Sequence, residues 1–118
     1  WSTPSDLARL AIEVIKSHRN ESNRILSAEM TREMLTPQVD YRGFSIGLGY
    51  FIVIQDGKTS IGRNGWNEGF HCLVGSILET GQGFAWMANG QNGHHLGWEV
   101  VRGLSKIIDW KAQADEKA

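Results

Sequence analysis

The stretch IGLGYFIVIQ-DG-KTSIGR, residues 46–63, decides the fold of this chain. Apolar β-branched and aromatic residues lead up to Gln55, and Asp56-Gly57 is a two-residue sequence typical of a tight hairpin turn. Strand formers resume after the turn and continue to Arg63. The stretch therefore predicts two antiparallel strands, over residues 46–55 and 58–63, joined by a hairpin.

Two further strands are predicted after this hairpin. Residues 70–79 and 84–88 are rich in apolar and aromatic strand formers, and Thr80-Gly81-Gln82-Gly83 between them is a turn signal. Short connections join antiparallel neighbours, so the middle of the chain is expected to form an antiparallel sheet of these four strands.

Helical periodicity precedes the sheet. Thr3-Pro4-Ser5-Asp6 is typical of a helix start, in which the threonine caps the helix and the proline occupies its first turn. Apolar residues then recur at helical spacing until the helix ends near residues 17–20: Leu7, Leu10, Ala11, Val14 and Ile15. Ser27 caps a second, shorter helix that Pro37 stops. The apolar residues of this second helix are expected to cover one edge of the sheet: Met30, Met34 and Leu35.

Helical spacing returns after the sheet, over residues 96–110, and predicts an apolar face formed by Leu96, Val100, Leu104, Ile107 and Ile108. The polar tail after Lys111 is expected to fray. The predicted fold class is therefore α+β. A single domain over residues 1–118 has an antiparallel β-sheet with N- and C-terminal helices packed on it.

Composition and charge exclude several functions. The formal net charge is −1 and the basic residues are scattered, which argues against a nucleic-acid partner. No apolar run approaches the roughly 20 residues that span a bilayer, so no membrane span is expected. Cys72 is the single cysteine, so neither an internal disulfide nor a cysteine-based zinc site can form, and its thiol is expected to be buried and unreactive. We predict no cofactor and no metal site.

The segment GRNGWNEGF, residues 62–70, carries the chemical signal. A basic residue, a small polar residue and a glycine at the end of a strand suit anion recognition, because the base attracts a carboxylate or an oxyanion. The glycine lets a ligand approach the backbone, where the next N–H can donate to it. Gly69 then permits the turn into the following strand.

This segment is similar to part of the serine β-lactamase-like proteins, which include class C β-lactamases, D-Ala-D-Ala carboxypeptidases and related esterases. These proteins commonly carry Lys-Thr-Gly or His-x-Gly on the strand that borders the active site, followed after three residues by Gly-Phe. Arg63-Asn64-Gly65 falls on that triplet and Gly69-Phe70 on the Gly-Phe. Other segments resemble the family in the same order, so that the resemblance covers about nine tenths of the chain: residues 1–8, 26–27, 34–38, 47–50 and 87–90.

The resemblance implies a role for each residue of one wall of a substrate site. Arg63 would recognise the substrate carboxylate, and Asn64 and Gly65 would line the strand edge against which the substrate lies. The backbone N–H of Trp66 would be one oxyanion-hole donor, and its indole would wall the pocket. Arg63 departs from the family pattern, since an arginine that replaces lysine or histidine keeps anion binding but cannot transfer a proton.

Family members acylate a serine in Ser-x-x-Lys, aided by Tyr-x-Asn, and neither pattern occurs in this chain. No catalytic residue is therefore assigned within it. We interpret the chain, which opens on Trp1 without a methionine, as the C-terminal fragment of a larger hydrolase whose nucleophile lies upstream. The fragment alone is expected to be inactive.

The resemblance implies acyl transfer and hydrolysis of a β-lactam, a D-Ala peptide or a small ester by the whole protein, in a periplasmic or extracytoplasmic location. The substrate would be a small molecule or a peptide. Loss of the upstream strands would leave an open sheet edge, through which a homodimer is expected to form. The alternative is a non-catalytic binding or interaction module in which Arg63 contacts an anionic ligand. A third interpretation pairs Arg63 with Glu68 for structural reasons alone.

Other candidate residues have simpler interpretations. Gly43-Phe44-Ser45-Ile46-Gly47 matches Gly-x-Ser-x-Gly, but a nucleophile elbow needs a strand before it and a helix after it, and here a strand is predicted to follow. His94-His95 and His71 suggest a metal, yet adjacent histidines are expected to point in different directions, so no ligand role is assigned. Trp66 is expected either to wall a pocket or to pack, whereas three other tryptophans are expected to anchor the core: Trp86, Trp98 and Trp110.

Overall fold

The computed structural model describes residues 1–108 of the chain. The helices are α1 (Pro4–His18), α2 (Ala28–Met34) and α3 (Gly93–Leu104). The strands are β1 (Val39–Tyr41), β2 (Phe44–Ile46), β3 (Phe51–Gln55), β4 (Lys58–Asn67), β5 (Phe70–Ile77) and β6 (Gly83–Ala88). All six strands form one antiparallel sheet in the order β1-β2-β3-β4-β5-β6, so each strand pairs with its neighbours in sequence. The predicted fold class, α+β with an antiparallel sheet and helices packed on it, is confirmed. The last helix begins at Gly93 and ends at Leu104, so the predicted helix over residues 96–110 is wrong for residues 105–108. Trp110 and the tail after Lys111 lie outside the described residues.

The starts of α1 and α2 are set by capping side chains, as the sequence predicts. The Thr3 hydroxyl accepts a hydrogen bond of 3.1 Å from the Asp6 N–H, and Pro4 is the first helical residue. The Ser27 hydroxyl accepts a hydrogen bond of 3.2 Å from the Met30 N–H. No helix within residues 1–108 is long and apolar enough to cross a membrane.

The strand count differs from the prediction because β1 and β2 form an additional hairpin. Its turn is Arg42-Gly43, with φ angles of 47° and 89°, and the predicted Asp56-Gly57 turn has 51° and 73°. Positive φ at both central residues is the signature of the type I′ turn, whose twist suits a hairpin. The prediction of one strand over residues 46–55 is therefore wrong: Ile46 ends β2, and residues 47–50 form a loop before β3.

Helices α1 and α2 pack on one face of the sheet. The core between these helices and the sheet is formed by Val14, Leu35, Ile52, Ile61 and Leu78, with Met34 and Tyr50 packed against it. Complete burial of one such aliphatic side chain contributes roughly 1.5–3 kcal/mol. Leu10 and Met30, which the periodicity places on apolar faces, are exposed.

Helix α3 packs on the opposite face of the sheet. Ile77 and Val101 are buried there, with Leu73, Phe84 and Ile108 around them. Ser76 lies opposite Ile61, whose side chain faces α1, so Ser76 faces α1 as well. Ile77 is the next residue of the strand, and its side chain therefore points to the opposite face. The first and last helices therefore pack on the sheet as predicted, and the structure places them on its two opposite faces.

The face that α3 turns to the sheet differs from the predicted one. Its buried residues are Gly93, Gly97 and Val101, whereas Leu96 is 60% exposed and Val100 is also exposed. A Cβ atom on Gly97 would lie 1.7 Å from the Cζ2 atom of Trp86, so the indole occupies the space that the glycine leaves. Trp86 is half-buried and packs against α3, whereas Trp98, which was predicted to anchor the core, is 49% exposed and Trp110 lies outside the described residues.

A hydrogen-bonded network ties α1 to the end of β5. The Arg19 guanidinium donates to the backbone oxygens of Leu78 at 2.9 Å and Glu79 at 3.0 Å. The Glu79 carboxylate in turn accepts a 2.7 Å hydrogen bond from the Thr59 N–H. The charged form of Glu79 therefore takes part in joining the β5–β6 turn to β4.

Replacing Glu79 with glutamine is expected to destabilise the protein near pH 7 and progressively less as the pH falls. Burial acts to raise the pKa of Glu79, but hydrogen bonds from Thr59 and the backbone, with the charge of His18, outweigh it and lower the pKa below 4.5. This stabilisation is fully present above the pKa of the unfolded state and is lost as the pH falls through the folded-state pKa. Urea unfolding of both proteins between pH 7 and pH 3 measures the difference. A difference that stays constant over that range would contradict the prediction.

Candidate functional site

The four residues of the predicted wall lie consecutively on the second half of β4, where the strand pairs with β5. Their register partners on β5 follow in reverse order, so Arg63, Asn64, Gly65 and Trp66 lie opposite Val74, Leu73, Cys72 and His71. Strand β4 is longer than the predicted strand over residues 58–63, because it continues to Asn67. The segment 63–67 is referred to below as the wall strand.

The wall strand has a neighbouring strand on one side. Strand β3 pairs with β4 only from Lys58 to Gly62, where Gly62 lies opposite Phe51. Strand β5 pairs with β4 as far as Asn67. No strand within residues 1–108 pairs with the β3 side of the wall strand, which is therefore an open edge in the middle of the sheet.

The backbone groups that face this open edge follow from the hydrogen-bond alternation. The Leu78 N–H donates to the Thr59 oxygen at 3.0 Å, so Thr59 faces β5. Residues of an antiparallel strand turn their N–H and C=O groups alternately to its two neighbours. The odd-numbered residues of β4 therefore face β5, and the N–H and C=O groups of Asn64 and Trp66 point to the open edge.

Arg63 is exposed beside the first residue of β3, where the pairing of β3 with β4 stops. Its guanidinium carbon lies 4.8 Å from the centroid of the Phe51 ring, and Phe51 meets Phe44 edge to face at 5.2 Å. Among residues 1–108 no carboxylate forms an ion pair with Arg63, so the structural pairing with Glu68 is not present. The aromatic ring holds the cation beside the open edge, where it is available to an anion.

Gly65 packs closely against β5. A Cβ atom on this residue would lie 2.7 Å from the Cys72 sulfur atom across the strand pair, so the Cys72 side chain would have to move. This close packing is a reason for the glycine in addition to the predicted approach of a ligand. Cys72 itself is half-buried, a free thiol beneath the wall strand, where the sequence predicted a buried one.

Trp66 begins a row of neighbouring aromatic and histidine rings at the end of the sheet. The residue is 73% exposed, and its indole lies nearly parallel to the His71 ring, with centroids 6.0 Å apart and planes at 15°. His71 contacts His94 at 5.2 Å, and His94 contacts His95 at 3.9 Å between centroids, both pairs being tilted. Trp66 thus packs beside His71 at the surface, and its interpretation as a pocket wall stays a prediction.

The histidines come together although the sequence predicted otherwise. His94 and His95 were expected to point in different directions, but their rings are adjacent at the start of α3. Partial desolvation, followed by the charges of His95 and His71, lowers the pKa of His94 from its ordinary value. Residues 1–108 contain no group of three or more histidine, cysteine and acidic side chains arranged to hold a metal ion.

Ser45 does not lie on a nucleophile elbow. It occupies the middle of β2, and its hydroxyl donates to the Asp40 carboxylate at 2.6 Å across the β1–β2 hairpin. The next element after β2 is strand β3, whereas an elbow requires a helix.

Sequence reasoning missed His71 and Gln91 as neighbours of the wall strand. The His71 Nε2 atom lies 3.0 Å from the Gln91 oxygen, and the Gln91 side-chain oxygen accepts a 2.8 Å hydrogen bond from the Gly69 N–H. The tight turn at Glu68-Gly69 was a usable signal for His71, because it fixes the register that places this residue opposite Trp66. The contact of Gln91 with the hairpin has no local signal in the sequence.

The chain matches no protein-family model and no curated protein. A function must therefore be inferred from the wall strand itself. An open backbone edge, an arginine without an acidic partner among the described residues and an exposed tryptophan lie within these consecutive residues.

Proposed function

We propose that this chain is the C-terminal part of a serine β-lactamase-like hydrolase and that Arg63, Asn64, Gly65 and Trp66 form one wall of its substrate site. The whole protein transfers the acyl group of a β-lactam, a D-Ala peptide or a small ester to a serine supplied upstream of Trp1. The open edge of the wall strand beside an unpaired arginine is the observation that carries this proposal.

The exposed groups match the chemical features of such substrates. The outward N–H of Trp66 is suited to donate to the reacting carbonyl oxygen, on which negative charge develops as the serine oxygen attacks the carbonyl carbon. The C=O and N–H groups of Asn64 and Trp66 can pair with an amide of an extended substrate. Arg63 binds a carboxylate through charge-assisted hydrogen bonds.

The proposal also assigns the proton transfers to groups outside this chain. An arginine remains protonated, so Arg63 holds the anion and takes no part in moving protons. The serine proton must pass to an upstream base and then to the leaving nitrogen or oxygen when the acyl bond breaks. Water then hydrolyses the acyl-enzyme and returns the serine to its starting state.

The architecture is compatible with the larger fold. A sheet with helices on both faces corresponds to the sheet-rich half of the β-lactamase and transpeptidase-like proteins, in which upstream strands and a helical domain complete the site. Strand β6 has a strand partner on one side within residues 1–108. We expect an upstream strand, or a second copy of the chain, to cover its free edge.

Covalent labelling tests the proposal. The longer protein that contains this chain is treated with a fluorescent β-lactam and, separately, with a fluorophosphonate, and the adduct is located by peptide mass spectrometry. We expect labelling on a serine upstream of Trp1 and none on the 118-residue chain alone. Failure of both reagents on folded longer protein would argue strongly against a hydrolase, and labelling of the isolated chain would overturn the upstream nucleophile.

A non-catalytic anion-binding module is the second candidate. It is favoured by the unpaired, exposed Arg63 together with the absence of Ser-x-x-Lys from the 118 residues. The coding sequence upstream of Trp1 distinguishes the two candidates. Ser-x-x-Lys followed by Tyr-x-Asn supports the hydrolase, and a protein that starts near Trp1 supports the binding module.

A further inference from the structure

The Trp66 indole has one face beside the His71 ring and one free face. His71 lies opposite Trp66 on β5, and the two rings are within 15° of parallel with centroids 6.0 Å apart. The offset His71 ring therefore lies beside the face of the indole that is turned toward β5, and the residue remains 73% exposed. The other face of the indole is turned away from β5, toward the open edge of the wall strand.

The His71 ring beside the indole is itself held in place. Its Nε2 atom lies 3.0 Å from the Gln91 backbone oxygen, and the His94 ring is tilted against it with centroids 5.2 Å apart. A ring that is already oriented loses little conformational freedom when a ligand stacks on it. A large exposed aromatic ring beside a binding edge is typical of an anchor in a recognition site.

A ligand that pairs with the open edge brings a group to this free face. Side chains opposite each other on paired strands have Cβ atoms about 5 Å apart, which is the range of aromatic stacking. A ligand group opposite Trp66 would therefore lie against the indole, on the side away from His71. Trp66 lies three positions after Arg63 in the chain, or about 10 Å along an extended strand.

We propose that Trp66 is a specificity-determining residue that stacks on a flat aromatic ring in the acyl part of the substrate, about 10 Å from a carboxylate held by Arg63. This inference rests on the proposed function for the identity of the acyl group. Stacking of an aromatic ligand on Trp66 requires the wall strand alone and does not require the upstream nucleophile. The preferred ligands are thus aromatic acyl peptides, such as phenylacetylated dipeptides, over their aliphatic counterparts.

A pair of dipeptide probes tests the inference without a nucleophile. Phenylacetyl-Gly-Gly and acetyl-Gly-Gly carry the same backbone and carboxylate and differ by the aromatic ring. Dissociation constants for the full 118-residue chain come from amide chemical shifts of residues 63–67 in an NMR titration. We expect the aromatic probe to bind about 3- to 10-fold more tightly, in line with one stacked aromatic pair.

Substitutions of Trp66 test whether the preference for the aromatic probe depends on its indole. Trp66→Leu is expected to abolish the preference, and Trp66→Phe to restore part of it. Trp98→Leu, which removes another exposed tryptophan, is expected to leave it unchanged. Near-UV circular dichroism verifies that each variant is folded.

Three results would overturn the inference: equal affinity of the two probes for the unchanged chain, no shift in residues 63–67 with either probe, or a preference that survives Trp66→Leu. Aromatic preference in the chain combined with failed serine labelling of the longer protein would retain the stacking subsite and reject the hydrolase. Serine labelling without aromatic preference would retain the hydrolase and reject the subsite.

Discussion

Replacing Gly97 with alanine is expected to lower the free energy of unfolding by about 3 kcal/mol, the upper range for overpacking in a core. The added methyl group would lie 1.7 Å from Cζ2 and 2.4 Å from Cε2 and Cη2 of Trp86. These atoms belong to a rigid ring inside the α3–sheet interface, so either the helix or the indole must move. The higher helix propensity of alanine, worth about 1 kcal/mol, offsets only part of this loss. Urea unfolding measures the difference.

Gly103→Ala is the matched control for this prediction. Gly103 lies in the same helix, and an added Cβ atom would meet nothing within 4 Å. This substitution is expected to stabilise the protein by about 0.5–1 kcal/mol through helix propensity alone. Equal stability of the two variants would contradict the close approach of α3 to Trp86. A smaller effect of Gly97→Ala in a Trp86→Leu background would assign the loss to the indole.

The same contact shows why the face of α3 could not be predicted from periodicity. The spacing of large apolar residues selects Leu96 and Val100, and glycine contributes nothing to such a count. In the structure the bulky side chain at this interface belongs to the sheet. Trp86 projects toward α3, and Gly97 leaves the space that its indole occupies. The indole N–H of Trp86 is buried without a hydrogen-bond partner among the described residues, so its position is determined by packing. Complementary volumes on two elements are a tertiary property that neither segment shows alone.

The starts of the first two helices and the Asp56-Gly57 hairpin were predictable because each depends on a local signal. The β1–β2 hairpin was not, since its strands have three residues each and its turn uses arginine where asparagine or aspartate is typical. Such short strands are stabilised mainly by pairing with the rest of the sheet.

The open edge of the wall strand exists because the chain forms the β1–β2 hairpin in place of one strand over residues 46–55. Continuing the β3–β4 register backwards would place Ile46 opposite Asn67, so the predicted strand over residues 46–55 would have paired with the whole wall strand. The chain instead leaves the sheet at Gly47, where an added Cβ atom would lie 2.6 Å from the Met34 oxygen. The Leu48 N–H donates to that same oxygen at 2.9 Å. The residues of the candidate site could thus be named from the sequence, but their accessible backbone comes from the contact of this loop with α2.

Replacing Arg63 with glutamine is expected to slow acylation of the longer protein by a carboxylate-bearing β-lactam about 10- to 100-fold. Glutamine retains polarity and much of the length but loses the charge, and hydrogen bonds to charged groups contribute about 1.5–3 kcal/mol. Acylation by a fluorophosphonate, which has no carboxylate for Arg63 to hold, should change by less than about 3-fold on the same reasoning. Stopped-flow or gel-based labelling rates with both reagents measure the two effects.

Arg42→Gln is the control for the loss of an arginine near an aromatic ring, because the Arg42 guanidinium lies 5.3 Å from the Tyr41 ring centroid away from the wall strand. It should leave both rates unchanged. Equal slowing of both reagents by Arg63→Gln would indicate that Arg63 supports the fold or the nucleophile and does not hold the carboxylate. The selective loss is the expected result because the Arg63 cation is held by Phe51 and has no acidic partner among residues 1–108, so its removal breaks no ion pair of the described structure. A cation without an acidic partner in the described structure keeps its charge available for an anion that binds beside it.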